Sequence, residues 1–264
     1  MAENTASLVR DNLSFPKVFD IHTHIFADPP LEEELWEFAR EHHMRCVVSG
    51  FDCDSELSEH SEFGTCVEYN DKVLALMEKD PDLFYGFCFV NPLHGQKAVQ
   101  EIRRCITDNG MYGIKLWLGC VCTDPRVSPI IEESISLGVP ILQHSWIREE
   151  MLPGESSPYD IAELAARYPE MRMIMAHMGY RWRPGVDAIR ECPNILTDCC
   201  GGDPEMGQTE YAVQMLGADR VLYGSDAAER DVLLQISKVT SADITSEDRE
   251  KVLHLNAERL LGLA

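Results

Sequence analysis

The chain has 264 residues, of which 45% are hydrophobic and 26% charged, the composition of an ordinary folded protein and not of a disordered one. The length leaves no room for two large domains, so we predict a single domain over residues 1–264. Acidic side chains outnumber basic ones by 45 to 23, and the formal net charge of −22 disfavours binding to nucleic acid and to anionic membrane surfaces.

The N-terminal segment, MAENTASLVRDNLSFPKVFD, lacks the apolar core of a signal peptide, and no stretch reaches the ~18 apolar residues that a membrane span needs. The ten cysteines are scattered through apolar segments without paired CxxC spacing. We therefore expect reduced core thiols instead of disulfides or a structural zinc site, and we predict a cytoplasmic protein. The sequence does not distinguish a monomer from a homo-oligomer.

Short β-branched or apolar runs recur along the chain at intervals of roughly 30 residues, which is the spacing of a βαβ unit. In chain order, these eight predicted strands are Val18–His24, Arg45–Gly50, Tyr85–Asn91, Gly113–Leu118, Pro140–Ser145, Met171–His177, Asn194–Asp198 and Val221–Asp226. The polar stretch Asp52–Thr65 after the second run is a candidate lid, with a plain surface loop as the alternative.

Segments with helical periodicity lie between the strands. They are Leu31–Met44, Cys66–Lys79, Lys97–Thr107, Pro129–Leu137, Pro158–Tyr168, Glu205–Leu216 and Glu229–Val239. Alternation of this kind predicts an α/β fold with a parallel sheet, and eight uninterrupted units favour a single (β/α)8 TIM barrel over an open sheet. An extra C-terminal helix, about Ser246–Leu261, opens with Thr245-x-x-Asp248.

Four of the nine histidines fall where a predicted strand ends. His22 and His24 close the first strand, and their i, i+2 spacing puts both imidazoles on one side of it. His144 ends the fifth strand and His177 the sixth. Because the carboxyl ends of all barrel strands meet on one face, where barrel active sites form, we expect the four rings to converge.

Asp226 and Lys115 join this predicted cluster. Asp226 ends the eighth strand, next to the first in a closed barrel, and Lys115 lies in the fourth strand. Imidazole and carboxylate suit Zn²⁺ best, with Mn²⁺ or Fe²⁺ as alternatives. The spacing therefore predicts a divalent metal site at the mouth of the barrel, in which core histidines without a ligand role are the competing interpretation.

The segments VFDIHTHIF, GIKLW, PILQHSW, MIMAHMG, LYGSDAAERD and NAERLLGL carry these residues. In content and order they resemble the amidohydrolase superfamily, in particular its amidohydrolase-related branch, over nearly the whole chain. The resemblance implies a (β/α)8 barrel with one or two divalent metal ions. It implies that His22, His24 and Asp226 bind the first metal and that Asp226 also handles protons. His144 and His177 would bind a second metal or divide ligand and acid–base roles, which makes Asp226 and His177 the predicted catalytic residues.

Lys115 has two possible roles under this resemblance. In binuclear members of the superfamily, a lysine in strand 4 is carboxylated by CO2 and bridges the metals, and Lys115 stands in a matching strand. Many members of the branch are mononuclear, and an unmodified Lys115 would then bind the substrate or the site carboxylate. Both roles remain open at the level of sequence.

The loops after the later strands supply tryptophans and arginines that we predict to bind substrate. Arginine suits carboxylate or phosphate groups, and tryptophan offers a flat apolar wall, so a small organic anion is the expected ligand. The predicted substrate-binding residues are Trp117, Trp146, Arg148, Arg181 and Arg183. Pairing with acids or burial in a subunit interface is the alternative for each of them.

These residues predict a metal-dependent hydrolase that cleaves a C–O or C–N bond with a metal-activated water, whose pKa falls toward ~7. A decarboxylase of the same superfamily would use nearly the same ligands and is the main alternative. A non-catalytic binding barrel is a further alternative, although no usual ligand position is missing. The related deoxyribonucleases resemble this chain in HxH but place a glutamate where Lys115 stands.

Overall fold

The structure is a computed structural model that describes residues 15–25, 29–50, 61–227 and 229–264. The strands are β1 (Phe19–Ile25), β2 (Arg45–Gly50), β3 (Phe84–Phe89), β4 (Gly113–Leu116), β5 (Ile141–Gln143), β6 (Met173–Met175), β7 (Ile195–Asp198) and β8 (Val221–Leu222). They pair in sequential order, each parallel to the next, in one eight-stranded sheet. Every predicted strand is present, although most are shorter than the apolar runs.

The last strand region returns to the first and closes the sheet. Thr23 and Ala227 form a parallel bridge, and the N–H groups of Ile21 and His24 donate to the carbonyls of Tyr223 and Ala227 at 3.0 and 2.6 Å. Without this closure, β1 and β8 would be edge strands with unpaired backbone groups. The fold is thus the predicted (β/α)8 barrel.

The helices alternate with the strands on the outside of the barrel. They are α1 (Pro29–His42), α2 (Phe63–Lys79), α3 (Gln96–Arg103), α4 (Ser128–Leu137), α5 (Pro158–Arg167), α6 (Trp182–Ala188), α7 (Gln208–Leu216), α8 (Val232–Thr240), α9 (Ser246–Glu250) and α10 (Asn256–Leu260). Helix α6, which contains Pro184 and Gly185, is not among the helices predicted from the sequence. A proline in the first helical turn is tolerated because the N–H that it lacks would have no partner there.

The C-terminal segment predicted as one helix consists of α9, a π-helical turn over Lys251–Leu255, and α10. Thr245 begins it as predicted, because its hydroxyl accepts the N–H of Asp248 at 3.1 Å. The segment packs on the barrel strands: the N–H of Tyr223 donates to the carbonyl of Val252 at 2.8 Å, and Asn256 donates to the carbonyl of Val221 at 2.8 Å.

Buried apolar side chains fill the space between strands and helices. None of the nine described cysteines forms a disulfide, and all but Cys192 are buried. None of the described helices has the length and apolarity to cross a membrane. The candidate lid, Asp52–Thr65, falls mostly on positions 51–60, which lie outside the described residues. Positions 1–14, within the N-terminal segment considered in the sequence, lie outside them as well.

Candidate metal centre and substrate cavity

His22 and His24 lie side by side at the end of β1. Their side chains are buried, and their ring centroids are 4.8 Å apart in an edge-to-face arrangement. The i, i+2 spacing therefore places both imidazoles on the same side of the strand, as the sequence predicts.

Asp226 meets this pair across the closure of the barrel. Its Oδ1 lies 3.3 Å from Nε2 of His24 and 3.8 Å from Nε2 of His22. The Asp226 backbone is left-handed, with φ at 61°, and its N–H donates to the carbonyl of His22 at 2.8 Å. Aspartate adopts this conformation more readily than most residues, which lets the carboxylate turn toward β1.

Outer hydrogen bonds orient both rings of the HxH pair. Nδ1 of His22 lies 2.9 Å from Oδ2 of Asp198, and Nδ1 of His24 lies 3.3 Å from the carbonyl of Ser49. These contacts turn each Nε2 toward Asp226, and one ligand atom from each of the three residues lies within 4.8 Å of the others. Two neutral imidazoles and one carboxylate, with both rings held by hydrogen bonds at Nδ1, fit a divalent cation such as Zn²⁺ or Mn²⁺.

Lys115 reaches the same point from β4. Its Nζ is 2.7 Å from Nε2 of His22, and its side chain is buried. Burial lowers the pKa of Lys115 to about 8, against the opposing attraction of Asp226 and Asp198. The lysine thus points into the centre and not outward to solvent.

His177 and His144 follow β6 and β5, across the barrel from His22 and His24. The His177 ring is stacked 5.0 Å from that of His22, and its Nδ1 lies 4.0 Å from Oδ2 of Asp226. His144 is farther from the acid: its ring is 5.2 Å from that of His177, and its Nε2 lies 3.2 Å from Oε1 of Glu155. Among the described residues, the His22–His24–Asp226 cluster of ligand atoms therefore leaves His144 out.

All four histidines are held toward the neutral form. Burial lowers the pKa of His22 and His177 well below its usual value, and it lowers the pKa of His24 and His144 in the same direction. Burial alone would raise the pKa of Asp226, but His177 and the hydrogen bond with His24 outweigh it, and the net pKa is lowered. Neutral imidazole and ionised carboxylate are the states that ligate a metal.

A cavity of about 270 Å³ opens above these groups. Its floor is formed by His24, Lys115 and Asp226, and its walls include Trp117, Trp146 and Arg148, as well as His144, His177, Glu155, Glu229 and Arg230. Trp146 stands between His144 and the exposed Tyr180, with ring centroids 5.8 and 4.0 Å away and both pairs nearly parallel.

The five predicted substrate-binding residues are divided between two places. Trp117, Trp146 and Arg148 line the cavity, whereas Arg181 and Arg183 line a neighbouring depression of about 350 Å³. The Arg183 guanidinium lies 4.6 Å from the ring centroid of Trp182, a cation–π distance. The structure does not bring this pair of arginines to the metal centre.

Sequence reasoning overlooked three buried polar residues of the site. Asp198 ends β7, and this strand-end position is a signal that the sequence contains. Cys200, two residues after Asp198, lies 3.2 Å from Nδ1 of His22 and 3.3 Å from Nδ1 of His177, where burial raises its pKa and keeps it a thiol. Glu155 accepts from Arg148 at 2.8 Å and from the N–H of Leu152 at 3.1 Å, and nothing in the local sequence distinguishes it from other loop glutamates.

Comparison with known proteins adds the family. The chain matches the family model described as amidohydrolase over residues 19–263. It is 24% identical over 162 residues to the 2-amino-3-carboxymuconate-6-semialdehyde decarboxylase of Dictyostelium discoideum, a match that covers 54% of this chain and 45% of that relative. The chain therefore matches less than half of the relative's length.

Solved structures share the fold along nearly the whole chain. The 2,6-dihydroxybenzoate decarboxylase from Rhizobium is 19% identical with a TM-score of 0.72, covering 94% of this chain and 99% of that one. The dihydroxybenzoic acid decarboxylase from Polaromonas sp. JS666, with bound manganese and the inhibitor 2-nitroresorcinol, is 18% identical with a TM-score of 0.72, covering 94% and 98%. At identities below 20%, this structural similarity establishes the fold alone.

Proposed function

Because the chain belongs to the amidohydrolase family, we propose that it is a metal-dependent decarboxylase of small, planar, carboxylated substrates. One observation carries the proposal: the proposed metal ligands His24 and Asp226 share a single cavity with the cations Lys115, Arg148 and Arg230. The relative and the two solved structures named above are decarboxylases, which supports the lyase over the hydrolase that the motifs alone favoured.

The size and walls of the cavity favour one flat ring or a short conjugated chain. About 270 Å³ lies just under the range of drug-sized pockets, and Trp117 and Trp146 supply flat apolar faces. Arg148 and Arg230 suit carboxylate groups of the substrate. Glu155 forms an ion pair with Arg148 and partly neutralises its charge, so the cavity contains an acidic side chain beside its cations.

Decarboxylation breaks the bond between the carboxylate carbon and the substrate skeleton. CO2 leaves, the electron pair remains on the skeleton carbon, and that carbon takes up a proton. His22, His24 and Asp226 would hold the cation, which when bound supplies Lewis-acid stabilisation of the negative charge on substrate oxygens. We assign His177 and Asp226, whose Nδ1 and Oδ2 are 4.0 Å apart, to holding and passing the proton. Manganese, bound in the Polaromonas structure, and zinc both suit these ligands.

Hydrolysis is the second candidate, and the position of Lys115 favours it. Its Nζ is 2.7 Å from Nε2 of His22, close enough to the centre for a carboxylated lysine to join the ligands. A carboxylated Lys115 would indicate a binuclear site that activates water.

One experiment separates the two reactions. The purified chain, loaded with Mn²⁺ or with Zn²⁺, is incubated with a panel of hydroxybenzoates, carboxylated muconate analogues, aromatic lactones and amides in H₂¹⁸O. Release of CO2, with hydrogen in place of the substrate carboxylate and no ¹⁸O in the product, supports the proposal. Incorporation of ¹⁸O into the product without CO2 release would instead establish hydrolysis, and the His22→Ala protein provides the background for both.

A further inference from the structure

Asp198 touches two histidines of the centre, one through each carboxylate oxygen. Its side chain is fully buried at the end of β7. Oδ2 lies 2.9 Å from Nδ1 of His22, and Oδ1 accepts the backbone N–H of His177 at 2.7 Å. The thiol of Cys200 donates to Oδ1 at 3.0 Å. A single carboxylate thus connects the ring of one histidine to the main chain of another.

The contacts on the two sides of the His22 ring agree on one tautomer. A carboxylate accepts, so the ring proton sits on Nδ1 and points to Oδ2 of Asp198. Nε2 is then free to accept from Nζ of Lys115, which lies 2.7 Å away. This is the tautomer that leaves the lone pair of Nε2 available to a cation.

The backbone that carries His177 is left-handed through four consecutive residues. The φ angles of His177, Met178, Gly179 and Tyr180 are 63°, 48°, 72° and 65°. Non-glycine residues in this region are strained and persist only where surrounding contacts hold them. The first N–H of this segment is the one that Asp198 accepts, so the carboxylate anchors the segment where it leaves β6.

We propose that Asp198 is a positioning residue that holds His22 in the Nδ1–H tautomer and fixes the backbone of His177. This inference rests on the proposed metal-dependent function, because its purpose is to present His22 to a cation. The competing interpretation makes Asp198 and Cys200 metal ligands themselves, since their ligand atoms and those of His22 and His177 lie within 4.8 Å of one another. Hydrogen bonds already account for each of these contacts.

The test is the variant Asp198→Asn. If the amide oxygen keeps accepting from His177, the amide NH₂ faces His22 and forces its proton onto Nε2, away from the tautomer that binds metal. We expect a folded protein whose affinity for Mn²⁺ and Zn²⁺, titrated into metal-free protein, is about 10–100-fold weaker. The ¹⁵N shifts of the His22 ring should report the exchange of protonated nitrogen, a change that a merely structural role would not produce.

Asp20→Asn is the matched control. Asp20 is a buried carboxylate on β1 whose Oδ1 accepts the backbone N–H groups of His22 and Ser225, both at 3.0 Å, and not a ring nitrogen of a histidine. This variant should keep both the metal affinity and the His22 tautomer of the wild-type protein.

Three results would overturn the inference. They are unchanged metal affinity in a folded Asp198→Asn protein, an Nε2–H tautomer in the metal-free wild-type protein, and a thiolate-to-cobalt charge-transfer band after loading with Co²⁺. The second measurement needs no variant and so decides the matter even if Asp198→Asn does not fold. None of the three requires turnover, so failure of the decarboxylase proposal would be recognised separately, by the absence of CO2.

Discussion

Oδ1 of Asp226 lies 3.3 Å from Nε2 of His24, and this contact spans the place where the last strand region of the barrel meets the first. The residues are at opposite ends of the chain, so only closure of the sheet brings them together. The contact therefore links the integrity of the barrel to the integrity of the proposed metal centre.

Asp226→Asn should eliminate most activity while preserving the fold. The amide removes the negative ligand and the proton carrier, and we expect kcat/KM to fall by about 10²–10⁴-fold, with weaker binding of Mn²⁺ in a metal titration. His22→Ala should have an effect at least as large. Asp231→Asn is the control, because Asp231 is exposed and caps α8, where asparagine also serves as a cap. Wild-type turnover in Asp226→Asn would refute the assignment.

Glu155→Gln should impair substrate binding and turnover without removing the metal. Glu155 accepts from Arg148 and lies 3.2 Å from Nε2 of His144, so the neutral amide releases the guanidinium and alters the orientation of the ring. We expect kcat/KM to fall by about 10–100-fold at constant metal content. This is the range expected when a residue that orients side chains of a metal centre by hydrogen bonds is replaced. Glu149→Gln changes an exposed residue of the same loop and should leave kcat/KM unchanged. Equal kinetics in the two variants would show that Glu155 has no part in the site.

Two glycine variants separate backbone strain from close approach to His177. Gly201 and Gly207 both have positive φ, 69° and 85°, but a Cβ at Gly201 would lie 2.6 Å from Nδ1 of His177, whereas a Cβ at Gly207 would meet nothing within 4 Å. Gly207→Ala should lower the free energy of unfolding by about 1–2 kcal/mol in urea titrations, and Gly201→Ala should lower it further because its Cβ also overlaps His177. Only Gly201→Ala should also reduce kcat/KM, because the methyl group displaces the His177 ring. If both variants keep full activity, the close approach is unimportant for catalysis.

Glu101, in helix α3, should make the free energy of unfolding depend on pH. Burial raises its pKa, but hydrogen bonds from Arg104 and Asn70 outweigh burial, and the net pKa lies below the usual 4.5. A lowered folded-state pKa stabilises the native state above the unfolded-state value and loses that contribution as the pH falls through the folded-state value. Glu101→Gln should therefore reduce the free energy of unfolding at pH 7 and converge with the wild-type protein in acid.

We expect a reduction of about 1–2 kcal/mol at neutral pH, at the lower end for charged hydrogen bonds because Arg104 is partly exposed. Chemical unfolding at several pH values measures it. Glu132→Gln on the exposed face of α4 is the control and should run parallel to the wild-type protein. A constant difference between wild-type and Glu101→Gln down to the most acidic pH would contradict the charge argument.

The sequence by itself determined the alternation of strands and helices and the strand-end position of His22, His24, His144, His177 and Asp226. Periodicity is local, and a parallel barrel puts all of its strand ends on one face, so these residues could be grouped without coordinates. The helix α6 was overlooked because Pro184 and Gly185 reduce its helical signal, while tertiary packing supports it.

Only the tertiary structure decided which side chains share the cavity. Arg181 and Arg183 follow a left-handed segment that carries them to a neighbouring depression, whereas Glu155 lies in a loop that folds back under His144. The paths of such loops depend on positive φ angles and on packing between elements far apart in the chain. Composition and periodicity do not encode those relations residue by residue.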